Sequence, residues 1–492
     1  MKERRCSLMS WISLAVLMIL GTSCEEFLNE VPGDKAVPSK HYKTAIEINV
    51  AYLGAYSLLQ DVATDLVITN GLRGDLMQVT GNADTYLQKI NRHLTSELSP
   101  YTDASNLYKV VIAANEVLAN LDPNISDPDF TMMHYNKVYG SLVGLRSWAY
   151  FTLARLYGEV AYLPDNLEGI PPGHSFEYLS REAVFQSLVS DLDSLVLTAD
   201  LFYPESDLNV DLFRINNHAL LGEIYLELDS FQLAADYLYL ATRTGSEEDY
   251  KVSITYAEER WKYIFISSLS RQSTVMTAVP FSQSDQQENV VESLTNFGDE
   301  YALKPSAFIV SMYENQTNKV ENADPGDLFR GLGTSYDTVA GNHVISKYNL
   351  NESQGYSADV ILYRAADIHL MLAEALNRLG ESGEALKILN IGNRELLGWS
   401  ENEGIRGRVA LADLAPGDGS IEYTENLIIS ERAMELAFEG KRWFDLMRIA
   451  RRRDDNAYLA NFVARKFSDP QEKQEVKSRL MDEANWYLPV IK

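Results

Sequence analysis

Apolar residues recur every three or four positions over most of the chain, which is the period of a helix that buries one face. The period is clearest in three stretches, YFTLARLYGEV, HALLGEIYLELDSFQLAADYLYLAT and HLMLAEALNRLGESGEALKILNIGN. We therefore expect a mainly α-helical fold.

Two of these stretches contain a second helical segment after a short turn. Small residues stand at matching offsets in them, Gly222 and Ala234 in one and Ala373 and Ala385 in the other. This spacing is close to that of a tetratricopeptide repeat, in which small residues let two helices approach each other. One pair cannot bury its apolar stripe alone, so we expect the pairs to stack. We place them at about 138–199, 214–243 and 361–395, with a C-terminal pair at about 424–453.

The segment at about 245–357 separates the second pair from the third. It is rich in Gly, Ser, Asn and Gln, and its β-like runs are short, such as 263–266 and 275–279. Binding residues often lie on loops that a rigid scaffold positions. We therefore predict a single domain over 41–492, in which interrupted helix pairs form a scaffold for a loop-rich ligand-binding region with short β elements.

The N-terminal segment has the order of an export signal. A charged start is followed by an apolar run at 8–20, which is too short to span a bilayer, and by small residues before Cys24. The run GTSC resembles a bacterial lipobox, although its leucine stands one position early. Cys6 would leave with the signal, and the one remaining cysteine cannot form an internal disulfide. We predict a signal peptide at 1–23 and a lipid-bearing Cys24 with a tether over 24–40. Ordinary secretion is the alternative.

The charge of the chain narrows the classes of partner. The formal net charge is −27, and removal of the signal takes away a net +2 and leaves the mature chain near −29. Such an acidic surface repels phosphate backbones and anionic headgroups, so we expect no nucleic acid and no membrane contact beyond the N-terminal lipid. The 28 tyrosines, 17 phenylalanines and 6 tryptophans could stack on sugar rings, or could simply pack the core.

Most signatures of catalysis and metal binding are missing from the sequence. None of the seven histidines belongs to a His-Glu-x-x-His motif, and there is no Gly-x-Ser-x-Gly elbow and no phosphate loop. The loop DPNISDPDF lacks the spacing of a calcium-binding hand, so a calcium site there is a minor alternative. We expect no cofactor, no metal and no catalytic activity.

The charged segment ERAMELAFEGKRWFDLMRIARRR offers the strongest case for an enzyme. Glu435 and Glu439 stand one helical turn apart, where two carboxylates could act as a glycosidase pair. However, Glu439 has Arg442 at a three-residue offset, and Asp445 has Arg442 and Arg448 at the same offset. Carboxylates matched with arginine have lowered pKa values and make poor general acids. We therefore favour a structural charge network of Arg432, Glu435, Glu439, Arg442, Asp445 and Arg448.

The run ERAMELAFEGKRWFDLMR within this segment resembles the C-terminal signature of the SusD/RagB family, the surface nutrient-binding lipoproteins of Bacteroidota. Other stretches resemble the family in its own order along nearly the whole chain: CEEFLNEVP, YKVVIAANEVLANL, LRSWAYFTLARLYGEVAYL, LKPSAFIVSMYE, DLFRG, YRAADIHLMLAEALNRLG with EALKILN, and WYLPVIK. Together they identify the chain as a member of this family.

The resemblance implies a fold of tetratricopeptide units that carry ligand-binding loops. It also implies a place on the outer membrane, facing the exterior, with Glu25 and Glu26 after the anchor as part of the export signal. There the protein would capture an oligosaccharide and pass it to a TonB-dependent SusC-like transporter. Peptides or another nutrient as ligand, or a scaffold that binds only protein, are the alternatives.

The resemblance also implies where ligand binds, by position and not by motif. Family members bind ligand on loops before the YKVVIAANEVLANL helix and between the second and third helix pairs. In these two regions we expect six residues to contact ligand by ring stacking or hydrogen bonding: Asn82, Tyr86, Tyr101, Phe297, Tyr301 and Tyr336. We also expect the charged side chains of Arg73 and Asp75 to hydrogen-bond sugar hydroxyls. For each of them, a place in the core or on a solvated loop is the other interpretation.

Overall fold

The structure is a computed structural model, and it describes most of the chain after the predicted tether. The described residues are 41–95, 99–163, 165, 170–171, 173–196, 214–242, 262–265, 275–282, 286–317, 330–349, 357–390, 404–409 and 411–489. Helices dominate this part, and the strands are few and short, which confirms the predicted mainly α fold. None of its helices is both long enough and apolar enough to cross a membrane. Cys24 and the tether lie outside the described residues.

The elements are numbered in chain order. The N-terminal half contains α1 (Ala45–Ser57), α2 (Leu59–Arg73), β1 (Met77–Val79), α3 (Thr85–Asn91), α4 (Ser105–Asn120), α5 (Met132–Tyr157), β2 (Val160–Ala161), β3 (Tyr178–Leu179), α6 (Arg181–Val196), α7 (Asn217–Glu227) and α8 (Phe231–Ala241).

The C-terminal half contains β4 (Val275–Val279), α9 (Val290–Thr295), β5 (Leu303–Pro305), α10 (Ala307–Glu314), β6 (Tyr336–Val339), β7 (Asn342–Ile345), β8 (Val360–Arg364), α11 (Ala365–Arg378), α12 (Ser382–Leu389), α13 (Ile421–Glu435), α14 (Arg442–Arg452), α15 (Asn456–Ala464) and α16 (Pro470–Leu480). Many of these helices begin at a side chain that accepts a hydrogen bond from a main-chain N–H of the first turn. The capping residues include Thr44, Asp84, Thr131, Asn216, Ser306, Ser420 and Asp469.

The helices pack as pairs that contact one another. Helix α5 packs on α6, α7 on α8 and α11 on α12, and α8 also packs against α11. Gly222 on α7 shows why a small residue is needed, because a Cβ at this position would lie 2.5 Å from Cγ of Leu238 on α8. The close approach of the two helices therefore depends on the missing side chain.

In the described part of the chain, the strands form four two-stranded antiparallel sheets, β1 with β5, β2 with β3, β4 with β8, and β6 with β7. Two of these sheets join the loop-rich region to the scaffold, since β8 leads directly into α11 and β1 follows α2. The predicted β run at 275–279 is confirmed as β4. The predicted run at 263–266 is wrong over its described residues, because Lys262–Phe265 forms a 3-10 turn, and Ile266 lies outside the described residues.

The charged C-terminal segment is not one continuous helix. Helix α13 ends at Glu435, and α14 begins at Arg442. Phe438 and Gly440 between them have φ angles of 68° and 73°, in the left-handed region that interrupts a right-handed helix. A Cβ at Gly440 would lie 3.1 Å from the main-chain oxygen of Leu66 on α2, so the turn also passes close to the backbone of α2.

Candidate functional site

Two loops that are far apart in sequence meet beside the sheet of β1 and β5. Gln78 pairs with Lys304 in this sheet, and Val79 pairs with Leu303. Beyond the last pair, the N–H of Thr80 donates to the oxygen of Ala302 at 2.8 Å, and the Thr80 hydroxyl donates to the oxygen of Tyr301 at 2.5 Å. The strands therefore place the loop at 80–84 against the loop at 296–302.

Asn82 and Phe297 lie on the exposed side of this junction. The Asn82 amide nitrogen is 3.5 Å from the main-chain oxygen of Asp299, and the Asn82 side chain is otherwise open to solvent. The Phe297 side chain is 44% exposed, and its ring centroid is 5.6 Å from that of Tyr301. The structure thus brings together three ligand candidates from the two predicted regions.

The hairpin of β6 and β7 adjoins this junction through Tyr301. The Tyr301 hydroxyl donates to the main-chain oxygen of His343 on β7, and burial raises the Tyr301 pKa to about 12, so the hydroxyl stays protonated. Tyr336 on β6 lies 5.5 Å from His343 and 5.7 Å from Tyr313, measured between ring centroids. His343 and Asn342 are exposed.

Tyr301 and Tyr336 do not offer open ring faces. Their side chains are 6% and 3% exposed, because each ring packs against neighbouring rings and strands. The prediction that these two tyrosines stack on sugar is therefore corrected, since a sugar ring has no access to them. They support the exposed residues around them.

The first predicted region continues along α3. The Asp84 carboxylate caps this helix by accepting from the N–H of Leu87 at 2.8 Å, and its other oxygen accepts from the Tyr101 hydroxyl at 3.2 Å. Burial and the Asp84 carboxylate raise the Tyr101 pKa to about 12. Tyr101 and Tyr86, which lies in the first turn of α3, are half-buried. We refer to the exposed and half-buried side chains around this junction as the loop surface: Asn82, Asp84, Tyr86, Tyr101, Phe297, Asp299 and His343.

Arg73 and Asp75 lie in the interior, so the prediction that they contact ligand is corrected. The Arg73 guanidinium donates to the main-chain oxygen of Trp486, and its carbon is 4.2 Å from the centre of the Trp443 ring. Burial lowers the Arg73 pKa to about 9. The Asp75 carboxylate accepts two hydrogen bonds from Arg442, at 2.7 and 2.9 Å. Both positions are buried because the apolar helix α2 carries its C-terminal end into the core.

The predicted charge network is buried, and its carboxylates are ion-paired with arginine or lysine. Arg364 lies 2.9 Å from the Glu435 carboxylate and 2.8 Å from the Glu439 carboxylate, which also accepts from Lys347 at 2.6 Å. Burial alone would raise the Glu439 pKa, but the positive charges of Arg364 and Lys347 lower it by more. The Glu439 pKa therefore lies below its ordinary value. Both carboxylates are thus occupied and enclosed, in no position to act on a ligand.

The other members of the charge network pair across elements. Asp445 contacts Arg432 and Arg448, each at 2.9 Å, and Arg448 also contacts Glu374 on α11 at 2.8 Å. The expected pair between Glu439 and Arg442 is wrong, because the turn between α13 and α14 separates them. Arg442 pairs with Asp75.

Three members of the loop surface escape prediction from the sequence, namely Asp84, Asp299 and His343. Each lies in a short polar stretch with no motif of its own. The pairing of β1 with β5 brings Asp84 and Asp299 near Asn82 and Phe297, and the hydrogen bond from Tyr301 joins His343 to the same junction. Only contacts between distant parts of the chain reveal them.

Within the described ranges, no cluster of three or more His, Cys, Asp and Glu side chains could hold a metal ion. In the aspartate-rich loop, the Asp127 carboxylate accepts from the main-chain N–H groups of Ala45 and Asp129, at 2.8 and 2.9 Å. Asp127 therefore holds the start of α1.

The sequence and the fold of this chain are similar to those of known proteins. The family model described as "SusD family" matches residues 237–492. SusD-like protein P2 of Formosa agariphila is 23% identical over 484 residues, which cover 89% of this chain and 90% of that protein. A SusD superfamily protein from Bacteroides vulgatus has a similar structure, with a TM-score of 0.69, 18% identity and coverage of 92% of this chain and 96% of that one. A laminarin-binding SusD-like protein matches with a TM-score of 0.61 and 17% identity, covering 89% of this chain and 98% of the other.

Proposed function

Because the chain belongs to the SusD family, we propose that it is a lipid-anchored protein of the outer cell surface that binds an oligosaccharide on the loop surface. It hands this ligand to a SusC-like TonB-dependent transporter and catalyses no reaction itself. The observation that carries the proposal is the contact of Asn82 with the loop that holds the exposed Phe297, although the two loops are distant in sequence.

The chemistry of the loop surface suits a sugar. The exposed Phe297 ring can stack on the apolar face of a pyranose. The Asn82 amide and the carboxylates of Asp84 and Asp299 can hydrogen-bond hydroxyl groups around that ring. The exposed His343, beside Tyr336 on the β6–β7 hairpin, adds a ring nitrogen. One apolar platform flanked by polar groups is a common arrangement for ligand recognition.

The charge of the loop surface favours a neutral sugar. Asp84 and Asp299 of the loop surface are exposed, and so are Glu300, next to Asp299, and Asp337 on β6. A sulfated or uronate-rich chain would be repelled by these carboxylates in a protein of formal charge −27. The laminarin-binding relative of similar fold also supports a neutral polysaccharide as the source of the ligand.

A glycan-array and calorimetry screen tests this proposal, with the purified protein lacking residues 1–24 and with plant, microbial and mucin-type oligosaccharides. We expect saturable binding to one class of neutral oligosaccharide and no cleavage of it after long incubation. Binding of oligopeptides with no response on the array would replace the glycan by a peptide. Release of shorter glycans would contradict the non-catalytic role.

The anchor is tested separately in cells. A Cys24→Ala variant should leave the membrane fraction, because it lacks the thiol that carries the lipid. An unchanged membrane fraction would contradict lipid attachment at Cys24. Protease treatment of intact cells, which should remove the wild-type protein, tests exposure on the outer face.

A further inference from the structure

Helix α1 has an apolar face that nothing in the described part of the chain covers. Its buried side includes Ile48, Tyr52 and Tyr56, while Ile46 and Val50 on another side are 75% and 66% exposed. Leu53 follows at the next helical turn and is also exposed, so the three side chains lie along one stripe. A helix that is apolar all round is normally buried on all sides. We call Ile46, Val50 and Leu53 the α1 face.

The start of helix α5 extends this exposed surface. The Nε2 atom of His134 lies 2.9 Å from Oδ1 of Asn49, which joins the first turn of α5 to the middle of α1. Met132 and Met133, next to His134, are exposed as well. Among the described residues, the three most exposed large apolar side chains are Ile46, Val50 and Met132. Apolar surface concentrated in this way marks an interaction site.

A groove of about 170 Å³ opens at the other end of the α1 face. Leu53, Tyr52 and Tyr56 of α1 form one wall, and the segment 278–280 at the end of β4 forms another. The Gln60 side chain, at the start of α2, also lines the groove and donates to the main-chain oxygen of Pro280 at 2.8 Å. A groove of this size accepts one large side chain, which is how a partner protein anchors itself.

The chemistry of α1 selects the kind of occupant. The helix contains no lysine or arginine, and its single charged residue, Glu47, accepts a hydrogen bond from the N–H of Lys43. Helices that lie on a membrane surface carry basic residues beside their apolar face, so α1 does not fit a lipid surface. Two copies of a chain of formal charge −27 repel each other. An uncharged face of another protein fits best.

The position of α1 in the chain selects the partner. It is the first described helix, and only the predicted tether, 24–40, and a few residues separate it from the predicted anchor. Seventeen extended residues reach roughly 60 Å at most. An anchored tether of this length would keep α1 within that distance of the membrane that holds the transporter and would raise the local concentration of the two proteins.

The geometry points to the α1 face, with Met132 and the groove beside Leu53, as the surface that docks on the SusC-like transporter. Apolar loops of the transporter cover Ile46 and Val50, and one large side chain enters the groove. This assignment rests on the proposed function, because that proposal supplies the transporter as partner.

The test uses the full lipidated chain in its own bacterium, purified in detergent through an affinity tag. The SusC-like transporter that accompanies the wild-type protein is identified by mass spectrometry and quantified. In the double variant Ile46→Gln/Val50→Gln we expect at least tenfold less of this transporter. Glutamine keeps the face uncharged and favours helix more than isoleucine or valine does, so the change removes apolar surface while α1 stays folded.

The matched control is Leu233→Gln/Leu240→Gln, which alters two exposed leucines on α8. It should retain the wild-type amount of transporter. Equal recovery with both double variants would overturn the assignment. So would a wild-type dimer that Ile46→Gln/Val50→Gln converts to monomer, or binding of the wild-type protein to vesicles of outer-membrane lipid that this variant loses, because the occupant would then be a second copy or lipid.

Measuring oligosaccharide affinity distinguishes failure of the docking surface from failure of the proposed glycan binding. Oligosaccharide affinity of the Ile46→Gln/Val50→Gln variant should equal that of the wild type, since the α1 face is not part of the loop surface. If no oligosaccharide binds but the transporter is still lost in this variant alone, the glycan role fails and the docking surface stands. If the wild type brings down no transporter, both the delivery role and the docking surface fail.

Discussion

In the charge network, Glu435 and Glu439 are enclosed by protein and held together by Arg364, whereas on the loop surface Asn82 and Phe297 are exposed and held mainly by the backbone beneath them. The run ERAMELAFEGKRWFDLMR, which carries the C-terminal signature of the family, belongs to the first region. Its charged side chains join α13 and the turn before α14 to other elements. Glu435 and Glu439 pair with Arg364 on β8, and Glu439 also pairs with Lys347 of the loop-rich region. This motif therefore reports how the scaffold is held together, and it carries no information on the proposed ligand-binding residues. Substitutions in the two regions should separate stability from binding.

The largest effect is expected from Arg364→Met. It removes the guanidinium that lies between Glu435 and Glu439 and leaves two buried carboxylates without their main partner. Loss of one partner of a buried ion pair costs about 3–5 kcal/mol. Urea denaturation should show this loss in the free energy of unfolding. Arg92→Met, which breaks an exposed pair with Glu472, is the control and should cost less than about 1 kcal/mol. Equal losses would contradict the structural role of the network.

Acid should weaken the same interior. Burial alone would raise the Asp367 pKa, but the positive charges of Lys441 and Arg432 have the larger effect. Together they lower the Asp367 pKa from 3.8 to about 2. A lowered carboxylate pKa stabilises the folded state above the unfolded value, and this contribution is lost as pH falls from about 4 to about 2. The loss is about 2 kcal/mol for Asp367 alone. Unfolding free energies measured between pH 6 and pH 2.5 should decline accordingly, and the Asp367→Asn variant should decline less. A flat profile in the wild type would refute this assignment.

The helix pairs allow a matched comparison of two glycines. Gly222→Ala places a Cβ 2.5 Å from Leu238, so the helices α7 and α8 must move apart. Overpacking of this kind costs about 1–3 kcal/mol. Gly383→Ala on α12 meets nothing within 4 Å and should be neutral or slightly stabilising. Thermal denaturation of the two variants checks the difference, and equal melting temperatures would show that the approach at Gly222 is not tight.

The smallest effect on stability, and the clearest on binding, is expected from Phe297→Ala. Its ring is exposed, so removal should change the free energy of unfolding by less than about 0.5 kcal/mol. Loss of a stacking platform should weaken oligosaccharide binding about tenfold, which corresponds to about 1.4 kcal/mol. Tyr178→Ala, an exposed aromatic on β3, serves as the control in calorimetry. Equal affinities in the two variants would remove Phe297 from the site.

The scaffold is readable from the sequence because its signals are local. Helix pairs such as α7 with α8 follow from apolar residues and small residues a few positions apart, and the capping side chains stand next to the helices they start. The charge network is readable only in part. Arg448 and Asp445 are neighbours on α14, but the partners of Glu439 come from β8 and the residues after β7.

The loop surface is harder to predict because its contacts are not local. Asn82 and Phe297 can be chosen from their positions between helices, but nothing near them in sequence indicates that β1 pairs with β5. Arg73 and Asp75 mislead for the opposite reason. They stand in a polar stretch that resembles a loop, while the apolar helix before them carries both into the core.

The pairing of β1 with β5 has a consequence for the order of folding. Asn82 and Asp299 are 217 positions apart, whereas the two helices of a pair are joined by a short turn. Closing a long loop costs entropy before any contact compensates for it, so such contacts form late. During refolding from urea, we expect the far-ultraviolet circular dichroism of the helices to recover before affinity for ligand returns. A newly made chain would thus gain its helical scaffold first and complete the junction beneath the loop surface last.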